Sequence, residues 1–179
     1  MSRTKYVFAA PVLLALALSG CGGKSKNEVV AGSYCPSPFL VQDAQTLTRF
    51  KPGAGRDPRD VAFQAAITGT GVECEVSRNK LLVTLKIRVA ANAGPSVGAD
   101  RTSVPYFVRL IDGSGGVAQG QDFNADYKLS TANPRGSSIE EIALTIPFNV
   151  PSDLGAYRVA VGLKPTPDEL EYNRRAVAR

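Results

Sequence analysis

The chain has no histidine and no tryptophan in 179 residues. Without histidine there is no Ser-His-Asp or Cys-His arrangement, and most zinc enzymes are excluded with them. Without tryptophan the Cys…Trp…Cys signature of true immunoglobulin domains is absent. No apolar run reaches the roughly 20 residues that a membrane-spanning helix needs. No dense Lys/Arg block argues for nucleic acid as a partner. Gly53-Ala54-Gly55-Arg56-Asp57 has glycines but lacks the Lys-Ser/Thr pair and following helix of a phosphate loop, so it reads as a turn. Carboxylate pairs occur at Asp57/Asp60, Glu140/Glu141 and Asp168/Glu169. Glycoside hydrolysis needs two carboxyls facing across a cleft, whereas neighbours on a strand point to opposite faces. The chain is therefore expected to be no enzyme, and to hold no cofactor and no metal.

What is present starts at the N-terminus. Arg3 and Lys5 precede an almost unbroken apolar run from Tyr6 to Leu18, the length of a signal-peptide core. Leu18-Ser19-Gly20-Cys21 follows. These residues resemble the lipobox of bacterial lipoproteins. The resemblance implies cleavage after Gly20, diacylglyceryl transfer to the Cys21 thiol and a further acyl chain on the new amine. Membrane lipid is then a partner through Cys21, because two or more chains, at about 0.8 kcal/mol per buried methylene, hold stably. In that family an Asp after the cysteine signals inner-membrane retention. Gly22 stands there instead, so the periplasmic face of the outer membrane is the expected location.

Residues 1–20 are thus the signal peptide, residues 21–33 a flexible lipid-anchored tether, and residues 34–179 a single domain. The tether is small and polar at Gly22-Gly23-Lys24-Ser25-Lys26-Asn27, with little to bury. The whole chain carries 21 basic and 16 acidic residues. Two of the basic ones, Arg3 and Lys5, leave with the signal, so the mature chain is only weakly basic. With Cys21 acylated, Cys35 and Cys74 remain in an oxidising compartment, and an even remainder suggests one disulfide. Closing a loop of about 40 residues would contribute about 4 kcal/mol. Two free thiols are the alternative.

The body reads as strands. Leu81, Val83, Leu85, Ile87 and Val89 fall at period two, with Thr84, Lys86 and Arg88 between them, which is a half-buried strand. Phe39–Phe50 reads as an opening strand or extended segment. Val61–Val76 alternates until Gly69 and Gly71, which suggest a bulge or a break. Arg78-Asn79-Lys80 reads as a tight reversal, with Asn79 suited to the left-handed conformation. Further strands are expected near 104–111, 116–129, 139–146 and 157–163. Thr166-Pro167-Asp168-Glu169 forms a capping box, with Thr166 as N-cap and Pro167 at the first helical position. A helix is expected from about Pro167 to Arg175, with Leu170 and Tyr172 to Asn173 as its contacts with the body. The fold class is mainly β: an antiparallel β-sandwich of about seven strands, immunoglobulin- or fibronectin-like in architecture, with a short C-terminal helix.

Two polar stretches are not required by hydrophobic patterning: Pro52 to Asp57 and Leu170 to Arg174. With the Cys35-Pro36 opening and Glu169-Leu170-Glu171-Tyr172-Asn173-Arg174, the chain resembles a group of proteobacterial lipoproteins that have no assigned activity. The resemblance brings no functional residues with it. Arg56, Asp57, Tyr172, Asn173 and Arg174 are the candidate partner-binding residues, or else they lock the helix to the body. The leading expectation is a non-enzymatic envelope lipoprotein, a periplasm-facing binding or scaffolding module with an envelope protein as partner. The alternative is a periplasmic enzyme or enzyme inhibitor with a shallow carboxylate/Arg site.

Overall fold

The computed structural model describes residues 25–53, 55–98 and 101–177. Cys21 and the signal segment lie outside the described residues. Eight strands form: β1 (Pro38–Leu40), β2 (Thr46–Phe50), β3 (Val61–Ser77), β4 (Lys80–Ala93), β5 (Thr102–Ile111), β6 (Val117–Tyr127), β7 (Arg135–Pro147) and β8 (Arg158–Leu163). They divide into two four-stranded sheets, in the orders β1-β8-β5-β6 and β2-β3-β4-β7. The protein is a β-sandwich, with one strand more than the patterning suggested. β1 runs parallel to β8, and the other pairs are antiparallel. β4 pairs with β7 in one sheet and β5 with β8 in the other. The links β4–β5 and β7–β8 cross between sheets. This order, β3-β4-β7 over β5-β8, is the A-B-E over C-F order of immunoglobulin-type sandwiches.

The period-two residues fill the space between the sheets. Leu81, Leu85 and Ile87 from β4, Val104 from β5 and Val159 and Val161 from β8 are fully buried, each contributing about 1.5–3 kcal/mol by leaving water. The glycine pair in β3 makes a bulge and not a break, because the strand continues and its register against β4 shifts between Ile67 and Gly69. At the β3–β4 turn, Ser77 pairs with Lys80, and Arg78, not Asn79, takes the positive φ, at 55°. In such two-residue turns the first central position can carry it. The opening strand is two: Gln42–Ala44 forms a 3-10 turn that moves the chain from β1 in one sheet to β2 in the other. This turn sits close on β8, where a Cβ on Gly162 would lie 2.9 Å from the Ala44 Cβ and 2.6 Å from the Phe107 ring.

Two helices flank the sandwich. The C-terminal one, α2 (Pro167–Val177), is the expected one, two residues longer. The other corrects the tether: from Lys26 the chain is helical, as α1 (Lys26–Tyr34). Ser25 and Glu28 form a reciprocal capping box, with the Ser25 N–H donating to the Glu28 carboxylate at 2.6 Å and the Glu28 N–H to the Ser25 hydroxyl at 3.2 Å. Nine residues of helix are marginal alone. Val30, Ala31 and Tyr34 pack against the core, and a Cys35–Cys74 disulfide, Cα–Cα 5.8 Å, ties the end of α1 to β3.

Candidate functional site

The residues singled out by sequence meet, for the most part, where α2 lies along the open edge of β2. The cap places Glu169 at the third helical position, and its side chain is almost fully buried. That carboxylate accepts from the Thr166 N–H at 2.8 Å and from the Arg49 guanidinium at 2.5 and 3.3 Å. Arg49 also lies 5.6 Å over the Phe63 ring. One turn on, Asn173 Nδ2 donates to the Thr46 carbonyl at 2.7 Å. The neighbouring Gln45 carbonyl accepts from Ile67 of β3, so Thr46 presents its own to the outside, and Asn173 occupies it. Tyr172 meets Phe50 edge-on at 5.2 Å. Arg56 covers the same Phe50 ring at 5.0 Å and pairs with Asp168 at 2.9 Å. Arg174 pairs with Asp43 of the 3-10 turn at 2.8 Å.

Arg56, Tyr172, Asn173 and Arg174 are therefore a docking cluster: each is engaged within the chain. Asp57 is not part of it. It caps the short turn at Pro58–Asp60, accepting from the Arg59 N–H at 2.8 Å and from the Arg59 guanidinium at 3.0 and 2.9 Å. These bonds, the side-chain ones foremost, hold its carboxyl below the usual range and raise the Arg59 guanidinium. Sequence reasoning missed Arg49. Its signal was available: a charge at the inward parity of β2, two residues from Leu47. Leu170 is only half-buried, and the buried residues among the described side chains of α2 are Glu169 and Asn173.

The carboxylate pairs are accounted for in the same way. Asp60 pairs with Lys51 at 2.8 Å, Asp168 with Arg56 and Glu169 with Arg49. Glu140 and Glu141 point to opposite faces: Glu141 is exposed, while Glu140 turns inward, accepting from the Tyr106 hydroxyl at 3.5 Å. Burial, with the Glu140 charge second, raises the Tyr106 phenol well above its ordinary value. Ser77 and Lys80 stand at Ser-x-x-Lys spacing, but as exposed partners across a hairpin turn. Among the described residues no cluster of metal-ligating side chains occurs, and no helix is long and apolar enough to cross a membrane.

Among the open depressions of the described residues are these two. One, of about 700 Å³, lies between α1 and β3, where Asn27, Glu28 and Glu75 surround the disulfide. The other, about 360 Å³, is a trough on the outer face of the β2-β3-β4-β7 sheet, where Gly69 and Gly71 leave room beside Lys86, Arg88 and Ile139. Lys86 is held at 2.6 Å by Glu73, whose hydrogen bond raises the Lys86 ammonium. Around this trough no described residue covers the sheet face, and Ile139 is 57% exposed. Comparison of the chain with protein-family models, with curated proteins and with solved structures gives no match.

Proposed function

We propose that the protein is a non-enzymatic envelope lipoprotein: a binding or scaffolding module held at the periplasmic face of the outer membrane by acylated Cys21. The observation that carries this reading is the run Leu18-Ser19-Gly20-Cys21 behind a basic and apolar leader. The Cys35–Cys74 disulfide supports it, since such bonds persist in oxidising compartments. With α1 beginning at Lys26, the tether is far shorter than composition suggested. Five residues reach at most about 17 Å, so the domain stands close to the bilayer. Ser25 and Glu28 line the same hollow as Glu75 and Val76, so the β3–β4 turn end is the one turned toward the lipid. The alternative, a shallow carboxylate/Arg enzyme or inhibitor site, has less support, because the groups it would use are bonded to one another.

The test of the anchor is Cys21→Ala in cells fed a fatty-acid probe. The variant should lose the label and leave the membrane fraction. A variant that still fractionates with membrane as the wild type does would place the anchor elsewhere. For the module, crosslinking in the native envelope should capture a protein partner, and capture of lipid alone would contradict a scaffolding role.

A further inference from the structure

Four strands end the two sheets, and three of them are blunted. β1 has three residues. β2 lies under α2, with its Thr46 carbonyl taken by Asn173. β6 carries Gly120, Asp122, Asn124 and Asp126 along one face, residue types that strands disfavour. β7 is different. It has 13 residues and keeps one register with β4 throughout, and among the described residues no helix packs against it.

The backbone groups that β7 leaves open can be assigned. At one end the Phe148 N–H donates to the Asn79 carbonyl, and at the other the Ala93 N–H donates to the Pro134 carbonyl. Even-numbered positions therefore face β4. The alternation of an antiparallel ladder turns Ser137, Ile139, Glu141, Ala143 and Thr145 outward. The Thr145 carbonyl is already held by Gln119 Nε2 at 2.7 Å. The open run is residues 135–143.

We propose that this run pairs antiparallel with the same run of a second copy of the chain, centred on Ile139, joining the two β2-β3-β4-β7 sheets into one. Charge and the exposed Ile139 side chain together select the register. Centred on Ile139, Glu141 stands opposite Ser137 of the second copy and diagonal to its Arg135, while Glu140 meets Ser138 and Ile142 meets Gly136. Opposite charges at diagonal positions attract, and like charges directly opposite repel. Centring on Glu141 sets two carboxylates face to face. Centring on Ala143 needs the Thr145 carbonyl that Gln119 holds. Centring on Ser137 sets Ile139 against Arg135 and runs Glu141 into the Asn133 turn. Centring on Ser138 sets Glu141 directly opposite Arg135 but leaves Ile139 against Ser137, and centring on Glu140 sets two Glu140 carboxylates face to face. Only the Ile139 register sets the exposed Ile139 side chain against its own copy.

Cysteine pairs test both the contact and its register, with full-length chains oxidised in intact cells and read on non-reducing gels against wild type. In Ile139→Cys the two Cα atoms stand about 5.5 Å apart, within disulfide range. In Glu141→Cys they stand four residues, about 14 Å, apart. The proposal expects Ile139→Cys to run largely as a covalent dimer and Glu141→Cys alone to stay at the wild-type background. Glu141→Cys co-produced with Ser137→Cys should dimerise. Position 139 is exposed, so the fold tolerates the change. As a second measurement, Ile139→Lys should remove self-association of the purified wild-type protein in sedimentation. The proposal is overturned if Ile139→Cys gives no dimer, if Glu141→Cys alone crosslinks as well, if Ile139→Cys is captured by a different protein, or if Ile139→Lys leaves sedimentation unchanged.

Discussion

The flank of the sandwich formed by β1 and β2 is closed, while the flank formed by β6 and β7 is open. On the closed flank α2 lies along the edge of β2, the 3-10 turn lies against β8, and α1 is bound to β3 by the disulfide. On the open flank two long strands end the sheets, linked across the gap by Gln119 and Thr145. The closed flank is held largely by polar groups: Glu169, Arg49, Asn173 and Arg174. A strand edge presents backbone N–H and C=O groups, and a helix laid along it, its own backbone already paired, can reach them only with polar side chains. Closing an edge from within the chain therefore needs buried polar residues at exact spacing, whereas leaving it open needs none. The lesson is that the conspicuous polar motifs of this sequence mark where the protein binds itself.

Breaking the closed flank should have the largest effect. Cys35→Ser should lower the unfolding free energy by about 4 kcal/mol, read as a drop in denaturant midpoint, and reductant should do the same to the wild type. Glu169→Ala should follow, at about 2–3 kcal/mol. It removes the cap and strands Arg49, whose side chain is 32% exposed, so water softens the loss. Leu170→Ala and Thr166→Ala should each cost only about 1 kcal/mol, because Leu170 is half-buried and the Thr166 hydroxyl makes one long bond, 3.4 Å. Thermal melts that rank Leu170→Ala above Glu169→Ala would mean that α2 is held by apolar contact and not by the polar clamp.

The open flank should respond least. Asp122 of β6 is bonded by Lys164 and by Arg109, and these bonds, Lys164 first, hold its carboxyl below the ordinary value. A depressed folded-state pKa contributes stability above the unfolded value, about 3.9, and loses it as pH falls through the lower folded value. Asp122→Asn should thus be slightly less stable than wild type at neutral pH, and the difference should vanish in acid. A difference that persists unchanged at pH 2 would show that the carboxylate charge is not what matters there.

Much of the sandwich was legible because its signals are local or strictly periodic. The alternation from Leu81 to Val89 gave β4, and Thr166 to Glu169 gave the start of α2. The Cys35–Cys74 bond followed from counting cysteines. Other features depended on contacts between distant residues. α1 is short and polar, and its helicity rests on a disulfide partner 39 residues away, although Ser25 and Glu28 already stood at capping-box spacing. β1 and β2 looked like one segment because the 3-10 turn between them has no proline or glycine. Tyr172 and Asn173 were legible beside Leu170 as contacts of α2 with the body, whereas Glu169 was read as a cap alone, because its buried partner, Arg49, lies 120 residues away.

The contrast between the flanks can be measured directly by residue-resolved hydrogen exchange, with the protein diluted below the range of self-association. α2 amides beyond its first turn should exchange as slowly as those of β4, opening only with global unfolding. β7 should alternate, with Ser138, Glu140, Ile142 and Leu144 protected and Ser137, Ile139, Glu141 and Ala143 exchanging freely. Exchange in α2 at the rate of a free peptide, or uniform protection along β7 in the dilute protein, would contradict the account.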